Sequence, residues 1–437
     1  MGFQQGLSGL NAASRSLDVT GNNVANASTV GFKQSRAEFA DIYANSLNGS
    51  GATPVGLGAK VAAVTQQFTQ GGITVTNLPL DLAINGGGFF RMSGGNGGET
   101  GTITYTRNGQ FQLDKNGYVV NAQGYNLQGY LADSTGNIQQ VAPPVNLRLF
   151  NPATSSDVAP QATGTSTAGS GIEAVVNLDS REAVPVTAPF DFADPTSYNR
   201  STAVSIYDSL GNPHTYQMYF VKTAVANEWD VYATMTNPTG AVPTFTDLSA
   251  AGTVTLGTLT FDTAGALTSA AFNESLTDAE FGYAGAVTTP QAFPVNFAGS
   301  TQFGSSFKVN ALEQDGFTAG SLSGYSVGAD GVIVGRYTNG TTKNLGQVTL
   351  DSFRNPQGLD PIGNNQWVET SESGSPLTGD PGTDGNHGPL QSAAVEDSNV
   401  DLTQELVNMI ISQRVYQANA QTIKVQDTIL QTLVNLR

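Results

Sequence analysis

One serine in the sequence has the spacing of a hydrolase nucleophile, within "GYSVG" at Gly324 to Gly328. A G-x-S-x-G serine becomes nucleophilic when it sits on a strand-to-helix turn and a histidine can take its proton. Here apolar and polar residues alternate on both sides of the motif, which indicates two strands. We therefore predict that Ser326 belongs to a β-hairpin and is not catalytic.

The other residue types that carry chemistry are sparse or poorly spaced. His214 and His387 are far apart, and the chain has no cysteine, so metal-ligand spacing and a disulfide framework are both missing. Asp380 and Asp384 fall in a polar loop, whereas paired catalytic acids need rigid placement. No Gly-rich stretch continues into the pattern of a phosphate-binding loop. We expect no enzyme activity, no catalytic residue, no metal and no cofactor.

A short acidic motif, D-x-x-G, recurs between strand-like runs of the chain. Aspartate starts a turn by accepting hydrogen bonds from its own backbone, and glycine supplies the positive φ. Calcium binding is the weaker alternative, because no copy continues into an EF-hand loop. The motif therefore predicts hairpin turns at Asp114 to Gly117, Asp133 to Gly136, Asp208 to Gly211 and Asp262 to Gly265.

The charge of the chain restricts its partners. It has 18 basic and 35 acidic residues, a net charge of -17, and no basic run of the kind that binds phosphate groups. No stretch approaches the roughly 20 apolar residues that span a bilayer. The opening residues lack the basic start and apolar run of a cleavable signal peptide. We expect no nucleic-acid binding, no membrane insertion and no cleaved signal.

The N-terminal residues have the spacing of a helix with one apolar seam. Gly6 and Gly9 weaken that helix by about 1 kcal/mol each relative to Ala, so it needs a partner in order to fold. The seam consists of Phe3, Leu7, Leu10, Ser14, Leu17, Gly21 and Val24.

The C-terminal residues predict one long helix, from Val400 to Leu436, without glycine or proline. Ser398 can cap its first turn, with Asp401 inside that turn. Glu396, Asp397, Asp401 and Glu405 then crowd the positive end of the helix dipole.

Two apolar stripes run along this C-terminal helix at about 100° per residue. A helix that is apolar on two sides needs two neighbours. The N-terminal seam can cover one stripe, and other copies of the chain can cover the second, which builds an open helical filament. The alternative is a helix enclosed within one domain. The first stripe is Leu402, Met409, Tyr416, Ala420, Ile423, Leu430 and Val434. The second is Val407, Ile411, Val415, Ala418, Val425, Ile429 and Leu436, with Gln413, Gln417, Gln421, Thr428 and Gln431 between them.

Between the helices the sequence predicts β-strands throughout. The fold class is therefore mainly β with long, paired terminal α-helices, in a discontinuous multi-domain chain with two β-rich domains. The expected divisions are a terminal helical domain at 1–30 and 398–437, a connector at 31–75, an inner β-domain at 76–145 and 295–397, and an inserted outer β-domain at 146–294.

Several motifs resemble the axial proteins of the bacterial flagellum, the rod and hook proteins. The opening "GLSGLNAASRSLDVTGNNVANASTVGFK" and the closing "SNVDLTQELVNMIISQRVYQANAQTIKVQDTILQTLVNLR" look like their terminal signatures. "DLAINGGGFF" and "YTRNGQFQLDKNGYVVNAQGYNLQG" are similar to their β-domain motifs. "LGQVTLDSFRNPQGLDPIGNNQW" looks specifically like the hook members.

This resemblance implies a structural subunit that self-assembles into a short curved tube, which links rod to filament and acts as a universal joint. It implies partners among the distal rod, hook cap and hook-filament junction proteins. It also implies export through the flagellar type III apparatus to the extracellular hook. Asn22, Asn23, Val24, Asn26, Gly31 and Phe32 would mark the connector motif, and Gln413, Gln417 and Gln421 are candidates to face the channel. The alternatives are a distal rod or other axial component, and an unrelated β-rich surface protein or glycosidase-like enzyme.

Overall fold

The computed structural model describes residues 2–42, 58–94, 101–133, 135–140, 143–152, 158–165, 171–237, 244–247, 256–268, 271–276, 281, 291–383 and 385–435. Two long helices lie at the ends of the chain, α1 (Gly2–Ala25) and α2 (Leu402–Asn435), and they pack against each other. Strands form most of the structure between them. The predicted fold class, mainly β with paired terminal helices, is confirmed.

The start of α2 differs from the prediction. The cap is Asp401, whose Oδ1 accepts hydrogen bonds from the backbone N–H groups of Thr403 at 2.9 Å and Gln404 at 3.1 Å. Ser398 Oγ accepts only from Val400 N, at 3.3 Å. Aspartate is as good a cap as serine and adds charge at the positive end of the dipole, so α2 begins at Leu402 and not at Val400.

The chain divides into two compact units. The first comprises Met1–Ala153, Ser323–Arg336 and Thr342–Arg437. Its early strands are β1 (Ser35–Ile42), β2 (Gly58–Gln66), β3 (Ile73–Val75), β4 (Leu82–Ile84), β5 (Phe89–Ser93), β6 (Ile103–Thr106), β7 (Gln112–Leu113), β8 (Val119–Val120), β9 (Asn126–Leu131) and β10 (Val145–Asn146).

The second unit comprises Thr154–Leu322 and Tyr337–Thr341. Its strands are β11 (Ile172–Asp179), β12 (Arg200–Tyr207), β13 (Pro213–Lys222), β14 (Glu228–Asn237), β15 (Thr244–Asp247), β16 (Gly257–Thr260), β17 (Ala271–Leu276), β18 (Gln291–Asn296), β19 (Thr301–Phe303) and β20 (Lys308–Gln314).

The remaining strands follow the second unit in the chain. They are β21 (Leu322–Val327), β22 (Val332–Tyr337), β23 (Thr342–Val348), β24 (Leu350–Ser352), β25 (Asp360–Gly363), β26 (Gln366–Val368), β27 (Leu377–Gly379), β28 (Leu390–Ser392) and β29 (Ala394–Glu396), with a short 3₁₀ turn at Pro356–Gly358.

The first unit is built on one large sheet, in which β21, β22, β23, β9, β5, β6, β26 and β25 are successive neighbours. Residues from distant parts of the chain meet in its core, among them Leu82, Phe90, Leu127, Ile333 and Leu350. Smaller pairings attach the chain ends to it: β1 with β2, β4 with β28, and β3 with β29. The last two pairings hold β28 and β29, the strands that directly precede α2 in the chain.

The second unit contains two sheets, one with β17, β18, β11, β19 and β20, the other with β12 to β16. Side chains alternate along β11: Ile172, Ala174 and Val176 are buried, while Glu173 is exposed. They share a core with residues of β13 and β14, including Trp229. Such alternation is the pattern of a sheet with one face covered.

The predicted domain limits need correction. Residues 295–322, assigned by sequence to the inner β-domain, belong to the second unit, because β18 and β19 pair with β11 in parallel and β20 pairs with it antiparallel. The second unit also begins at Thr154, not at 146. The terminal helices, the connector and the inner β-domain fall within one unit, so their separation remains a prediction. Connector residues 43–57 lie outside the described residues.

The four D-x-x-G turns are confirmed. Each glycine has a positive φ, between 83° and 87°, and each glycine N–H bonds back to the aspartate carbonyl oxygen. Asp114 shows the pattern: its Oδ1 accepts from Asn116 N at 2.9 Å and from Tyr118 N at 2.7 Å. Across the described ranges, no helix is long and apolar enough to cross a membrane.

Candidate assembly site

The contact between α1 and α2 is made by small residues. Cβ atoms added to Gly6 and Gly9 would lie 3.1 Å from Ile423 Cγ1 and 2.7 Å from Asn419 Oδ1. Further along α1, Ser16 Oγ and Ser412 Oγ form a hydrogen bond of 3.1 Å. The order of these contacts shows that the helices are antiparallel, and the missing side chains at the two glycines allow the backbones to approach closely.

The predicted seam of α1 is therefore displaced. Phe3 and Leu7 are exposed, and Leu10, Leu17 and Val24 are only half-buried. The residues covered most completely are Gly6, Ala13, Thr20 and Asn23. The heptad spacing was right but its phase was wrong, because the assignment followed the large apolar side chains and not the small ones that allow close approach.

Only one face of α2 is covered. Of the predicted stripe residues, Met409, Ala420 and Ile423 are half-buried, and Leu436 lies outside the described residues. Val434 has no described side-chain environment. The other large ones are exposed, namely Leu402, Val407, Ile411, Val415, Tyr416, Val425, Ile429 and Leu430. Within the first stripe, Met409, Ala420 and Ile423 are partly covered, whereas Leu402, Tyr416 and Leu430 are not.

The three glutamines named as channel-facing candidates, Gln413, Gln417 and Gln421, are exposed in the chain. At about 100° per residue they form a continuous row. This row lies roughly opposite the face that carries Glu405, Ser412 and Asn419. Which environment the row faces in an assembly stays a prediction.

The predicted connector residues lie at the end of α1. Asn23 is buried; its Nδ2 donates to Ser35 O at 2.8 Å, and its Oδ1 accepts from Ser35 N at 2.9 Å. Asn22 O accepts from Asn26 N at 3.1 Å, which closes the last turn. Gly31 has φ of 70° and donates its N–H to Glu396 O at 2.8 Å. Phe32 is half-buried.

A buried carboxylate joins the two helices beside this turn. Glu405, near the start of α2, is 3% exposed. Its Oε2 accepts from Asn23 Nδ2 at 3.2 Å, and its Oε1 accepts from Gln34 Nε2 at 2.8 Å and Asn408 Nδ2 at 3.1 Å. Asn399 adds a second link, accepting from Gln34 N at 2.7 Å and donating to Gln67 O at 2.7 Å. Both ends of the chain are thus hydrogen-bonded to the connector.

A second buried carboxylate, Glu396, binds two cations. Lys33 Nζ lies 2.6 Å from its Oε1, and Arg107 Nη1 lies 3.2 Å from its Oε2. Gly71 N also donates to Oε1, at 2.9 Å, and Lys33 Nζ donates to Thr69 O at 2.8 Å. Burial lowers the pKa of Lys33, which the adjacent Glu396 carboxylate opposes; burial also lowers the pKa of Arg107.

Sequence reasoning missed this cluster. It assigned Glu396 and Glu405 to the helix dipole, whereas Glu396 lies in β29 and pairs with Lys33, and Glu405 is buried against α1 and the connector. Lys33 and Arg107 were not singled out at all. Both lie within the family-like motifs "VGFK" and "YTRNG", which is the signal that could have pointed to them.

The residues considered for catalysis are placed separately. Ser326 lies in β21, His214 in β13 and His387 in the loop before β28. The Nε2 atom of His387 is 3.0 Å from Leu377 O. In the part of the chain that the structure describes, no group of three His, Cys, Asp or Glu side chains could hold a metal ion. Asp384 lies outside the described residues.

Family models of flagellar basal body, rod and hook proteins match along the chain. "Flagella basal body rod protein" matches residues 3–33, "Flagellar hook protein FlgE/F/G D1 domain" 83–165, "Flagellar basal body protein FlaE D2 domain" 177–317, and "Flagellar basal body rod FlgEFG protein C-terminal" 391–436. Together with paired terminal helices and a mainly β middle, these matches define the class of flagellar axial proteins.

Individual relatives narrow the class. The flagellar hook protein FlgE of Salmonella typhimurium is 44% identical and that of Escherichia coli 43%, each with 100% of both chains covered. A crystal structure of Helicobacter pylori flagellar hook protein FlgE2 aligns with 74% of this chain and 100% of its own, at 14% identity and a TM-score of 0.49. The chain belongs to the flagellar hook protein family. The predicted hook subunit is confirmed, and the distal rod alternative is not favoured.

The register of the two helices can be tested with cysteines, since the chain has none of its own. We expect the double variant Ser16→Cys/Ser412→Cys to form an intramolecular disulfide, because the two Oγ atoms are 3.1 Å apart and a disulfide needs close Cβ atoms. Non-reducing electrophoresis and intact mass would detect it. In the control, Ser8→Cys/Ser412→Cys, the first cysteine moves about 12 Å along α1 and should not pair. Equal cross-linking of both variants would contradict this register.

The Glu396 cluster gives a stability prediction. Glu396→Gln leaves two buried cations without a carboxylate, so we expect the free energy of unfolding of the first unit to fall by about 3–5 kcal/mol. Urea unfolding can be followed through Trp367 fluorescence in a Trp229→Phe background. Asp397→Asn is the matched control: it removes the same charge one residue later, where Asp397 bonds to Thr74 Oγ1 at 2.6 Å in an exposed position, and should cost under about 1 kcal/mol. Similar losses in both variants would refute a special role for Glu396.

Proposed function

We propose that copies of this chain self-assemble through their terminal helices into the curved tube of the flagellar hook, which joins rod to filament and transmits motor torque as a universal joint. The observation that carries this proposal is the uncovered surface of α2. This helix has 34 residues, about 51 Å at 1.5 Å per residue, and α1 covers only one of its faces.

The uncovered apolar side chains are too many for an isolated surface. They recur on successive turns from Leu402 to Tyr416 and again from Val425 to Leu430. Burying one such side chain stabilises an assembly by about 1.5–3 kcal/mol, and a contiguous exposed apolar surface of this length marks an interaction site. The set is Leu402, Leu406, Val407, Ile410, Ile411, Val415, Tyr416, Val425, Ile429 and Leu430.

A second copy of the chain is the occupant that the family supplies. A contact between different faces of neighbouring copies repeats without closing and produces a helical polymer. We propose that α1 and α2 form the inner tube, and that the β-sheets of the two units form the outer layers. The connector motif, with Asn22, Asn23, Asn26, Gly31 and Phe32, fixes the turn between tube and outer layers.

The glutamine row on α2 would then face the channel. Gln413, Gln417 and Gln421 offer uncharged hydrogen-bonding groups to an unfolded chain in transit. This assignment depends on the tube proposed above.

The wider setting follows from the same proposal. The role is structural and not enzymatic, the location is the extracellular hook of the flagellum, and the route is the flagellar type III export apparatus. Its partners, besides other copies, would be the distal rod, hook cap and hook-filament junction proteins.

The assembly proposal predicts the effect of charge on the exposed face of α2. Val425 and Ile429 are 49% and 47% exposed, so Val425→Asp/Ile429→Asp should leave the fold intact. It should raise the critical concentration for tubes at least tenfold, since a tenfold change corresponds to about 1.4 kcal/mol. Electron microscopy and sedimentation measure the tubes, and near-ultraviolet circular dichroism of Trp229 and Trp367 checks both β-units.

The control for this variant is Thr428→Asp/Gln431→Asp, which places the same two negative charges on the polar row of the same helix. It should assemble into curved tubes as the unchanged protein does. Tubes from the double aspartate variant at the normal critical concentration would refute the role of this face, and a wild-type protein that stays monomeric at high concentration would refute self-assembly itself.

The channel assignment makes a separate prediction in cells. Gln413→Leu/Gln417→Leu should allow hooks to form but slow the growth of the filament beyond them, because transported chains would adhere to the apolar side chains. Filament length per unit time, measured by fluorescence labelling, reports this. Hook length serves as the internal control, and unchanged filament growth would exclude these glutamines from the channel wall.

A further inference from the structure

The first unit carries a pocket of about 380 Å³ that none of the preceding functions uses. Its lining includes Phe68, Phe89, Arg107, Phe353 and Arg354. The lining contains two guanidinium groups and no acidic residue, in a chain whose net charge is -17. This local excess of positive charge is opposite in sign to the rest of the molecule.

The two arginines differ in how they are held. Arg107 is 4% exposed, with Nη1 on Glu396. Its Nε is buried and has no hydrogen-bond partner among the described residues. Arg354 lies at the exposed rim, where no described residue bonds or pairs with it. Because that Nε atom is buried, Arg107 acts on the pocket through its positive charge, whereas the exposed guanidinium of Arg354 is free to bind an acceptor.

The walls beside the arginines are aromatic. Phe89 lies under the Arg107 guanidinium, with Cζ 5.2 Å from the ring centroid. Phe68 and Phe353 pack edge-on against Phe89, at centroid separations of 5.4 Å and 5.9 Å. Apolar walls lower the local dielectric and strengthen attraction between opposite charges. Hydrogen bonds from a guanidinium to a carboxylate are also among the strongest in proteins.

Two glycines shape the pocket. A Cβ atom at Gly87 would lie 3.0 Å from Asn386 O, and one at Gly88 would lie 3.4 Å from Leu350 Cβ. Gly88 also has φ of 117°, a conformation that side chains with a Cβ rarely adopt. The backbone can follow this path only without side chains, so the two glycines fix this part of the pocket wall.

The nearby carboxylates are already engaged. Asp351 is fully buried, 3.2 Å from Arg91 Nη1, and bonds with Thr378 Oγ1. Glu396 is shared between Lys33 and Arg107. The cluster of Lys33, Arg107 and Glu396 therefore keeps one positive charge, to which Arg354 adds a second at the rim.

We propose that this basic pocket receives an acidic side chain, Asp or Glu, from a second copy of the chain. Charge complementarity selects the occupant: acidic residues outnumber basic ones 35 to 18, so neighbouring copies present carboxylates. The inference rests on the proposed self-assembly, and it adds a polar contact between β-units to the apolar contacts of the helices.

The first test reverses the charge at the rim. Arg354→Glu should raise the critical concentration for tube formation at least tenfold, as measured by sedimentation of the full-length protein. The matched control is Arg336→Glu, since Arg336 is also exposed and unpaired within the described part of the first unit; it should assemble normally. Near-ultraviolet circular dichroism confirms that both variants are folded.

The second test identifies the occupant. Arg354→Lys introduces an amine that a water-soluble carbodiimide joins to a carboxylate in direct contact, with loss of water. Tubes grown from mixed ¹⁵N-labelled and unlabelled chains should give a cross-linked peptide containing position 354 and an Asp or Glu of a differently labelled chain. Arg336→Lys should give no such peptide.

The outcomes separate this inference from the proposed function. If the wild-type protein forms no tubes, self-assembly fails first. If it does and Arg354→Glu assembles at the normal critical concentration, or the cross-link lies within one chain, the inference is wrong. A free small-molecule carboxylate is the other source of an acidic group for this pocket. Saturation-transfer NMR tests it with phenylacetate as the probe and the uncharged phenylacetamide as its control. Selective binding of phenylacetate together with normal assembly of Arg354→Glu would assign the pocket to a free carboxylate and overturn the proposal.

Discussion

The Glu396 carboxylate fixes the arrangement of the first unit. Its two oxygens accept from Lys33, Gly71 and Arg107, and its backbone oxygen accepts from Gly31. These residues come from the connector, the segment before β3 and the segment after β6. Glu396 itself ends β29, six residues before α2 begins. One side chain therefore ties both ends of the chain to the large sheet.

The Glu396 cluster specifies one arrangement of the chain more than it adds to the free energy of unfolding. Desolvation of buried charges offsets much of their attraction, so a buried ion pair is weak support for high stability. Removing one partner is costly, however, because the remaining charge is left unpaired. Any displacement of the connector relative to β29 would leave the buried charge of Lys33 or Glu396 without its partner. The arrangement that satisfies both is thus strongly preferred, and it sets where α2 starts.

The sequence was informative where a local rule decides the outcome. The D-x-x-G turns follow from side-chain hydrogen bonding and the φ of glycine, and the length of α2 follows from the absence of glycine and proline. Contacts between distant segments were harder. The phase of the α1 seam was predicted wrongly because the contact face was chosen by the size of its apolar side chains. In the structure the contact is made by the small residues Gly6, Gly9 and Ser16, which allow the helices to approach closely. The Lys33–Glu396 ion pair was not predicted, because 363 positions separate the two residues and no local pattern links them. The limit at residue 295 failed for the same reason, since β18 to β20 join β11 through non-local pairing.

Small residues at the α1–α2 contact and charged residues at the junction have a common consequence. Helices that pair through Gly6, Gly9 and Ser16 need few of their large apolar side chains for that contact, so the apolar surface of α2 stays available to neighbours. The junction holds the start of α2 in place through hydrogen bonds and ion pairs, which also need no apolar surface. Arg107 extends this arrangement, because it binds Glu396 and also lines the basic pocket. The contacts that hold α1, α2 and the connector together are thus largely polar or small, which leaves the large apolar side chains of α2 for contacts between copies.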